Sequence, residues 1–245
     1  MAIMYGEASR YLKRIEQIEK YSSISWSIFL VIFPLVVIYQ NLEIITDPPL
    51  IILIKLFVLA IMYSPIIWFI YRERTKAEKE YYKFYRGGKA EGAIYYELAK
   101  LSNYFFVFQD IKIGDQGNID FVVLGPTGLF SIEVKSHQGV IAFNGKELTL
   151  NNSPFQEKDI LKQAMAEALS LHGHLKEKIG MEIFVNPALV FASSAIMHFG
   201  LKSVNNVFVI QKLFLRKLIC SGKRIYTPDD ISKVSLSLKE LVQSE

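Results

Sequence analysis

Two long apolar runs open the chain, and a different periodicity follows them. No charged residue lies between Lys20 and Glu43, and the centre of that stretch, Ile24–Tyr39, is almost wholly apolar. Between Asp47 and Arg72 the only charge is Lys55, within Pro49–Tyr71. A bilayer core about 30 Å thick takes roughly 20 apolar residues of helix, and the two runs predict a transmembrane hairpin at about 24–40 and 49–71. Trp26, Tyr39, Tyr63, Trp68 and Tyr71 lie toward the run ends, where amphipathic rings favour the interface. Pro34 and Pro65 predict kinks, which membrane helices tolerate. A signal peptide is disfavoured, because no small-residue cleavage site follows the first run and a second span does. Arg10, Lys13, Arg14 and Lys20 precede the hairpin, Arg72, Arg74, Lys76 and Lys79 follow it, and the intervening loop has only Glu43 and Asp47. The positive-inside rule then puts both termini in the cytoplasm, with residues 1–23 as a cytoplasmic leader to a two-span anchor in membrane lipid.

Residues 72–86 mix basic, acidic and aromatic side chains and predict a juxtamembrane helix running into Gly87-Gly88. Contact with anionic headgroups and a plain solvated connector are both open readings of it. From Gly87 to Glu245 the pattern becomes that of an α/β domain. Ile94, Leu98 and Leu101 form the apolar stripe of a helix over 89–102. Strands are predicted at Tyr104–Ile113, Ile119–Leu124 and Leu129–Lys135, with turn signals at Gly114–Gly117 and Gly125–Gly128. Asn144-Gly145 predicts a hairpin between Val140–Phe143 and Glu147–Leu150. A helix follows at about Lys158–Lys178, then strands at Phe184–Ala192 and Val207–Ile210, then helices at Leu213–Cys220 and Pro228–Val242. Thr227 and Pro228 supply the cap and first position of the last helix.

Composition narrows the classes. Half the residues, 51%, are hydrophobic and mean hydropathy is +0.24, which excludes a disordered chain. Cys220 is the only cysteine, which excludes a disulfide scaffold. Residues 1–86 hold 11 basic against 8 acidic side chains, and residues 87–245 hold 17 against 16. The α/β domain is therefore too close to neutral to announce nucleic-acid binding by charge alone.

Candidate chemistry sits in one stretch. Strand alternation puts Glu133 and Lys135 on one face of Leu129–Lys135, with Ile132 and Val134 on the other, and Asp120 opens the preceding strand of the same hairpin. Two carboxylates and an ammonium thus converge at one end of a sheet. Repulsion between the acids is relieved by a hard divalent ion with oxygen ligands, Mg²⁺ or Mn²⁺, on Asp120 and Glu133. Lys135 would stabilise charge at a reacting phosphate. An isolated Glu-x-Lys is more often a weak surface ion pair, and only the surrounding elements argue otherwise. His172 and His174, two apart on a helix, do not share a face and make a poor metal pair. His137 reads as a loop histidine, and Cys220 as a core residue in an apolar stretch.

Four short motifs accompany these elements in order: Gly87-Gly88-Lys89-Ala90-Glu91, Gly117-Asn118-Ile119-Asp120, Ile132-Glu133-Val134-Lys135 and Ile160-Leu161-Lys162-Gln163. Their order and polar residues resemble the nuclease-related (NERD) domain of the PD-(D/E)XK superfamily, over about Gly87 to Ser194. Ala90 and Ile160 depart from the family's glycine and proline, and Ile119 stands where the superfamily has a proline before the aspartate. The resemblance implies a restriction-endonuclease-like α/β fold, a mixed sheet flanked by helices. It implies a Mg²⁺- or Mn²⁺-dependent hydrolase of phosphodiester bonds, acting on nucleic acid, DNA ahead of RNA. By position, Asp120, Glu133 and Glu91 would serve the metal, Lys135 the reacting phosphate, and Gln163 a water or phosphate. Together these readings describe a nuclease anchored in the cell membrane of a prokaryote. The alternatives are a nucleic-acid or protein-binding module of weak or lost turnover, and a membrane scaffold or sensor whose hairpin is the functional part.

Overall fold

The computed structural model describes residues 1–6, 36, 48–113, 118–155, 159–193, 195–197 and 203–242. The chain divides into two compact units, Met1–Ser9 with Gly87–Glu245, and Arg10–Arg86.

In the second unit, helix α1 starts at Pro49 and its full extent is Pro49–Ala99. Pro65 lies inside it and cannot donate to the carbonyl of Ile61; the Ser64 hydroxyl donates to that oxygen instead, at 3.0 Å. Large apolar side chains from Leu50 to Tyr71 are exposed. Among the described residues no helix is long and apolar enough to cross a membrane, and the side chains of Leu56, Leu59 and Ala60 lie outside that set. The expected transmembrane hairpin is thus not found among the described residues. Its first arm, 24–40, lies outside the described residues apart from Val36, as do Arg10, Lys13, Arg14 and Lys20. Its second arm is not a separate span ending at Tyr71, and 72–86 is not a separate helix ending at Gly87-Gly88. Residues 71–86 contain no helix breaker, and the two glycines lower helix propensity without ending it.

The other unit is built on a seven-stranded mixed sheet. Its strands are β1 (Ile3–Tyr5), β2 (Phe106–Lys112), β3 (Asn118–Gly125), β4 (Gly128–Lys135), β8 (Val185–Phe191), β10 (Ser203–Val204) and β11 (Val207–Gln211), in the order β1-β2-β3-β4-β8-β11-β10. β2, β3 and β4 form an antiparallel meander; β1 on β2, β4 on β8 and β8 on β11 are parallel. A four-stranded sheet of β5 (Gly139–Phe143), β6 (Leu148–Leu150), β7 (Ser153–Pro154) and β9 (Ala195–Met197) stands beside it. Strand β1, from a stretch expected to be only a leader, completes the edge of the main sheet.

Alternation along β3 assigns the two faces. Phe121 and Val123 pack with Ile94 and Leu98 of α1 and with Leu215 and Ile219 of α3 (Leu215–Cys220). Val122 and Leu124 pack with Leu171 and Leu175 of α2 (Ile160–Ile179) and with Val234 and Leu238 of α4 (Pro228–Leu241). Asp159 caps α2 through the backbone N–H of Lys162, and Gly180 ends it in the left-handed region at φ 65°. Thr227 and Asp230 close a capping box on α4. Gly125 is required by contact, since a Cβ there would lie 2.1 Å from the Phe105 ring. The mixed sheet between helices agrees with the expected α/β class and is compatible with a nuclease-like fold.

Candidate active site

The β3–β4 ladder ends at the pair Phe121–Ile132, whereas β4 continues along β8 as far as Lys135–Phe191. The two strands therefore part where Asp120 and Glu133 stand. There the backbone N–H of Val134 donates to Asp120 Oδ2 at 2.7 Å, replacing a ladder bond with a side-chain bond. Glu133, 6% exposed, is the hub of the cluster. Its Oε1 accepts from Lys135 Nζ at 2.7 Å and from Gln163 Nε2 at 2.8 Å. Gln163 sits on the first turn of α2; its Nε2 also donates to Glu167 Oε1 at 2.9 Å, and its Oε1 accepts from Lys135 Nζ at 3.4 Å. The crossover helix thus brings residues 30 positions away in sequence onto the end of β4.

Burial and like charge set the protonation of this group. Glu91, on α1 and 8% exposed, is pushed up to about 8, first by burial, then by Asp110 and Glu133. Glu167, 4% exposed, is also pushed up to about 8, by burial and then by Glu133, against the opposing bond from Gln163. Asp120 is held well above the usual carboxylate range by burial, Glu133 and Glu91, and its bond from Val134 only partly offsets them.

All five residues expected from the sequence, Glu91, Asp120, Glu133, Lys135 and Gln163, fall in this neighbourhood: Glu133, Lys135 and Gln163 are directly bonded, and Asp120 and Glu91 interact electrostatically with Glu133. Two acids were not foreseen. Glu167 had a readable signal, a carboxylate four residues after Gln163 on a helix face otherwise made of Ile160, Ala164, Ala168 and Leu171. Asp110 had none. It is placed by the β2–β3 register, lying between the pairs Gln109–Phe121 and Ile111–Ile119 and so across from Asp120. It adopts a left-handed φ of 55° inside β2, and its Oδ1 accepts from Asn118 Nδ2 at 2.5 Å.

The other candidates lie elsewhere in the chemistry. His172 Nδ1 donates to the carbonyl of Ile183 at 2.6 Å, and the His137 ring packs edge-on against Phe155. Cys220 is exposed instead of buried in the core, because the short helix α3 turns only Leu215 and Ile219 inward. Partial burial of its sulfur still pushes the thiol up, which leaves it a weak nucleophile.

Among the described residues no three His, Cys, Asp or Glu side chains form a ready-made cation cage. The donors nevertheless suit Mg²⁺ or Mn²⁺, hard ions that take one or two carboxylates and keep several waters. Asp120 and Glu133, adjacent where two strands part, provide that pair; burial first and their acidic neighbours second raise Asp120 and Glu91, and a bound cation would favour their charged forms.

Residues 86–192 match the family model described as nuclease-related domain, NERD. No curated protein and no solved structure matches the chain. The NERD match takes in Glu91, Asp110, Asp120, Glu133, Lys135, Gln163 and Glu167, and with them the meander, β8 and the crossover helix α2. Strands β10 and β11 and helices α3 and α4 lie beyond it and complete the sheet and both helical layers.

Proposed function

We propose that the chain is a membrane-anchored, Mg²⁺-dependent nuclease that hydrolyses phosphodiester bonds in DNA, or in RNA, on the cytoplasmic side. One observation carries the catalytic part: Asp120, Glu133, Lys135 and Gln163, from two strands and a helix, meet at the parting of β3 and β4 inside a NERD-matched segment. Asp120 and Glu133 would hold the ion, with Glu91 assisting from α1. When bound, such an ion supplies a water-derived nucleophile near neutral pH and neutralises charge on a phosphate oxygen.

The chain's own groups do the rest. Glu133 and Gln163 hold the Lys135 ammonium between them, ready to meet charge that develops on the phosphate. Glu133 and Glu167 share the Gln163 N–H₂ group, which fixes the amide and turns its oxygen toward Lys135. Burial of Glu91 and Glu167 keeps water from screening these interactions. The anchor is supported by the exposed apolar helix from Leu50 to Tyr71, by the uncharged run before it, and by the basic flanks.

The test is Mg²⁺-dependent cleavage of DNA and of RNA by the full chain beside an Asp120→Ala/Glu133→Ala double variant. Cleavage by the wild type and none by the double variant is the expected result. Equal cleavage by both assigns the activity to a contaminant and removes the reading.

A further inference from the structure

Helix α1 carries a feature that the catalytic cluster does not use. Arg72, Lys76, Lys79, Lys83 and Arg86 are spaced four, three, four and three apart. At about 100° per residue these five side chains fall within an arc of about 80° on one helix face. All five are exposed. Glu73, Glu78 and Glu80 lie outside that arc, and of the three only Glu73 reaches a cation of the stripe, Lys76. Two of the cations have neighbours: Arg72 stacks over the Trp68 ring at 5.5 Å, and Lys76 pairs with Glu73. On the flank of the stripe, between the levels of Lys79 and Arg86, Tyr82 is 61% exposed. Its ring meets Tyr81 edge-on at 5.7 Å, which leaves a face open to solvent.

We infer that this stripe binds a single strand of nucleic acid, its cations following the phosphates and Tyr82 stacking on a base. The inference rests on the nuclease reading for its biological sense and deepens it by naming the substrate's form. Five cations in a row over about 21 Å of helix complement a polyanion, not a single anion. An anionic lipid surface is the competing polyanion, and geometry within this unit disfavours it. The stripe is collinear with the apolar helix from Leu50 to Tyr71, so wherever that segment enters lipid, the stripe runs away from the surface. Lys79, Lys83 and Arg86 then lie roughly 10–20 Å beyond its end, at or past the Debye length of about 8 Å at physiological salt. An exposed ring beside a cationic track is the arrangement that unpaired bases recognise, since every base has a face to stack.

The test is fluorescence anisotropy of a fluorescein-labelled oligothymidylate titrated with the full chain in phosphatidylcholine nanodiscs, with EDTA present so that nothing is cut. If all five cations meet phosphates, the logarithm of affinity falls against that of salt with a slope near −3.5, about a hundred-fold loss between about 50 and 200 mM. The Lys79→Ala/Lys83→Ala/Arg86→Ala variant, all exposed positions on a helix that alanine favours, should bind at least ten-fold more weakly. Its slope should shrink by about 2. Tyr82→Leu should weaken binding about ten-fold with the slope unchanged, which separates stacking from charge. An unchanged affinity and slope in the triple variant overturns the inference, as does a wild-type chain that fails to bind at low salt. Loss of flotation with phosphatidylserine vesicles in the triple variant, with oligonucleotide binding intact, assigns the stripe to lipid instead. Binding with the expected slope by a chain that never cleaves would defeat the nuclease reading and leave the stripe standing.

Discussion

Stability of the metal-free protein should fall steeply as pH rises through the neutral range. Glu91 and Glu167 are both pushed from 4.5 to about 8 in the fold, chiefly by burial, then by Asp110 and Glu133 for Glu91 and by Glu133 for Glu167. Between about pH 5.5 and 7 these two acids then hold up to two protons that the unfolded chain has released. The sign follows from linkage: a carboxyl raised by folding contributes stability that is complete below 4.5 and is lost as pH climbs through its folded value. Each fully retained proton costs about 1.4 kcal/mol per pH unit, so these two acids contribute up to about 3 kcal/mol per unit. Because all share Glu133 as a neighbour, and Asp120 is raised with them, the acids titrate as a set, and the observed slope should fall between one and three protons. Against the roughly 5–15 kcal/mol of a typical domain this is a large share. Urea unfolding followed by circular dichroism, in EDTA at about pH 5.5, 6.5 and 7.5, measures it. Glu167→Gln should remove its own share of the slope, up to one proton, and raise stability at the highest pH. Added Mg²⁺ should flatten the part due to Glu91 and Asp120, because a bound cation favours the charged carboxylates. Stability that is level or rising over this range, or a slope untouched by both Glu91→Gln and Glu167→Gln, would refute the reasoning.

Further outcomes follow from the same geometry. Lys135→Ala should slow single-turnover cleavage by roughly 10²–10³-fold at saturating Mg²⁺ with metal affinity held or raised, as calorimetry would register, since the lysine is a charge donor and not a ligand. Glu133→Gln should bring Glu91 and Glu167 down toward the ordinary carboxylate range and cost most of the Mg²⁺ affinity, both visible in pH-dependent calorimetry. Leu171→Ala, at a fully buried site between α2 and the sheet, should cost about 2–5 kcal/mol in urea unfolding. Cys220 is exposed and is the sole cysteine, so with a cytoplasmic domain it should resist a membrane-impermeant maleimide on intact cells and react after lysis; labelling before lysis would reverse the proposed orientation.

Much of the α/β unit was legible because its elements carry their own periodicity. The apolar faces of α2 and α4, the alternation in β3 and β4, and the turns at Gly125–Gly128 and Asn144-Gly145 are local signals, and the observed elements lie within a few residues of the expected ones. The shared face of Glu133 and Lys135 was likewise implied by the period of two in a strand, and their 2.7 Å contact follows from it. What depended on distant pairing was hidden. The edge strand Ile3–Tyr5 is too short to show a pattern and exists because Phe106–Phe108 offers it a partner. Asp110 enters the acidic group only through the β2–β3 register, and Glu167 becomes a member only because α2 crosses back over β4. Nothing local raises the pKa of Glu91 or Glu167; packing removes their water and brings Glu133 near, and both effects are properties of the assembled unit. The chain by itself therefore determined which side chains are available and which face each presents along its own element. The tertiary structure alone decided which of them meet, because repulsion, desolvation and hydrogen bonding act across distances in space that sequence separation does not encode.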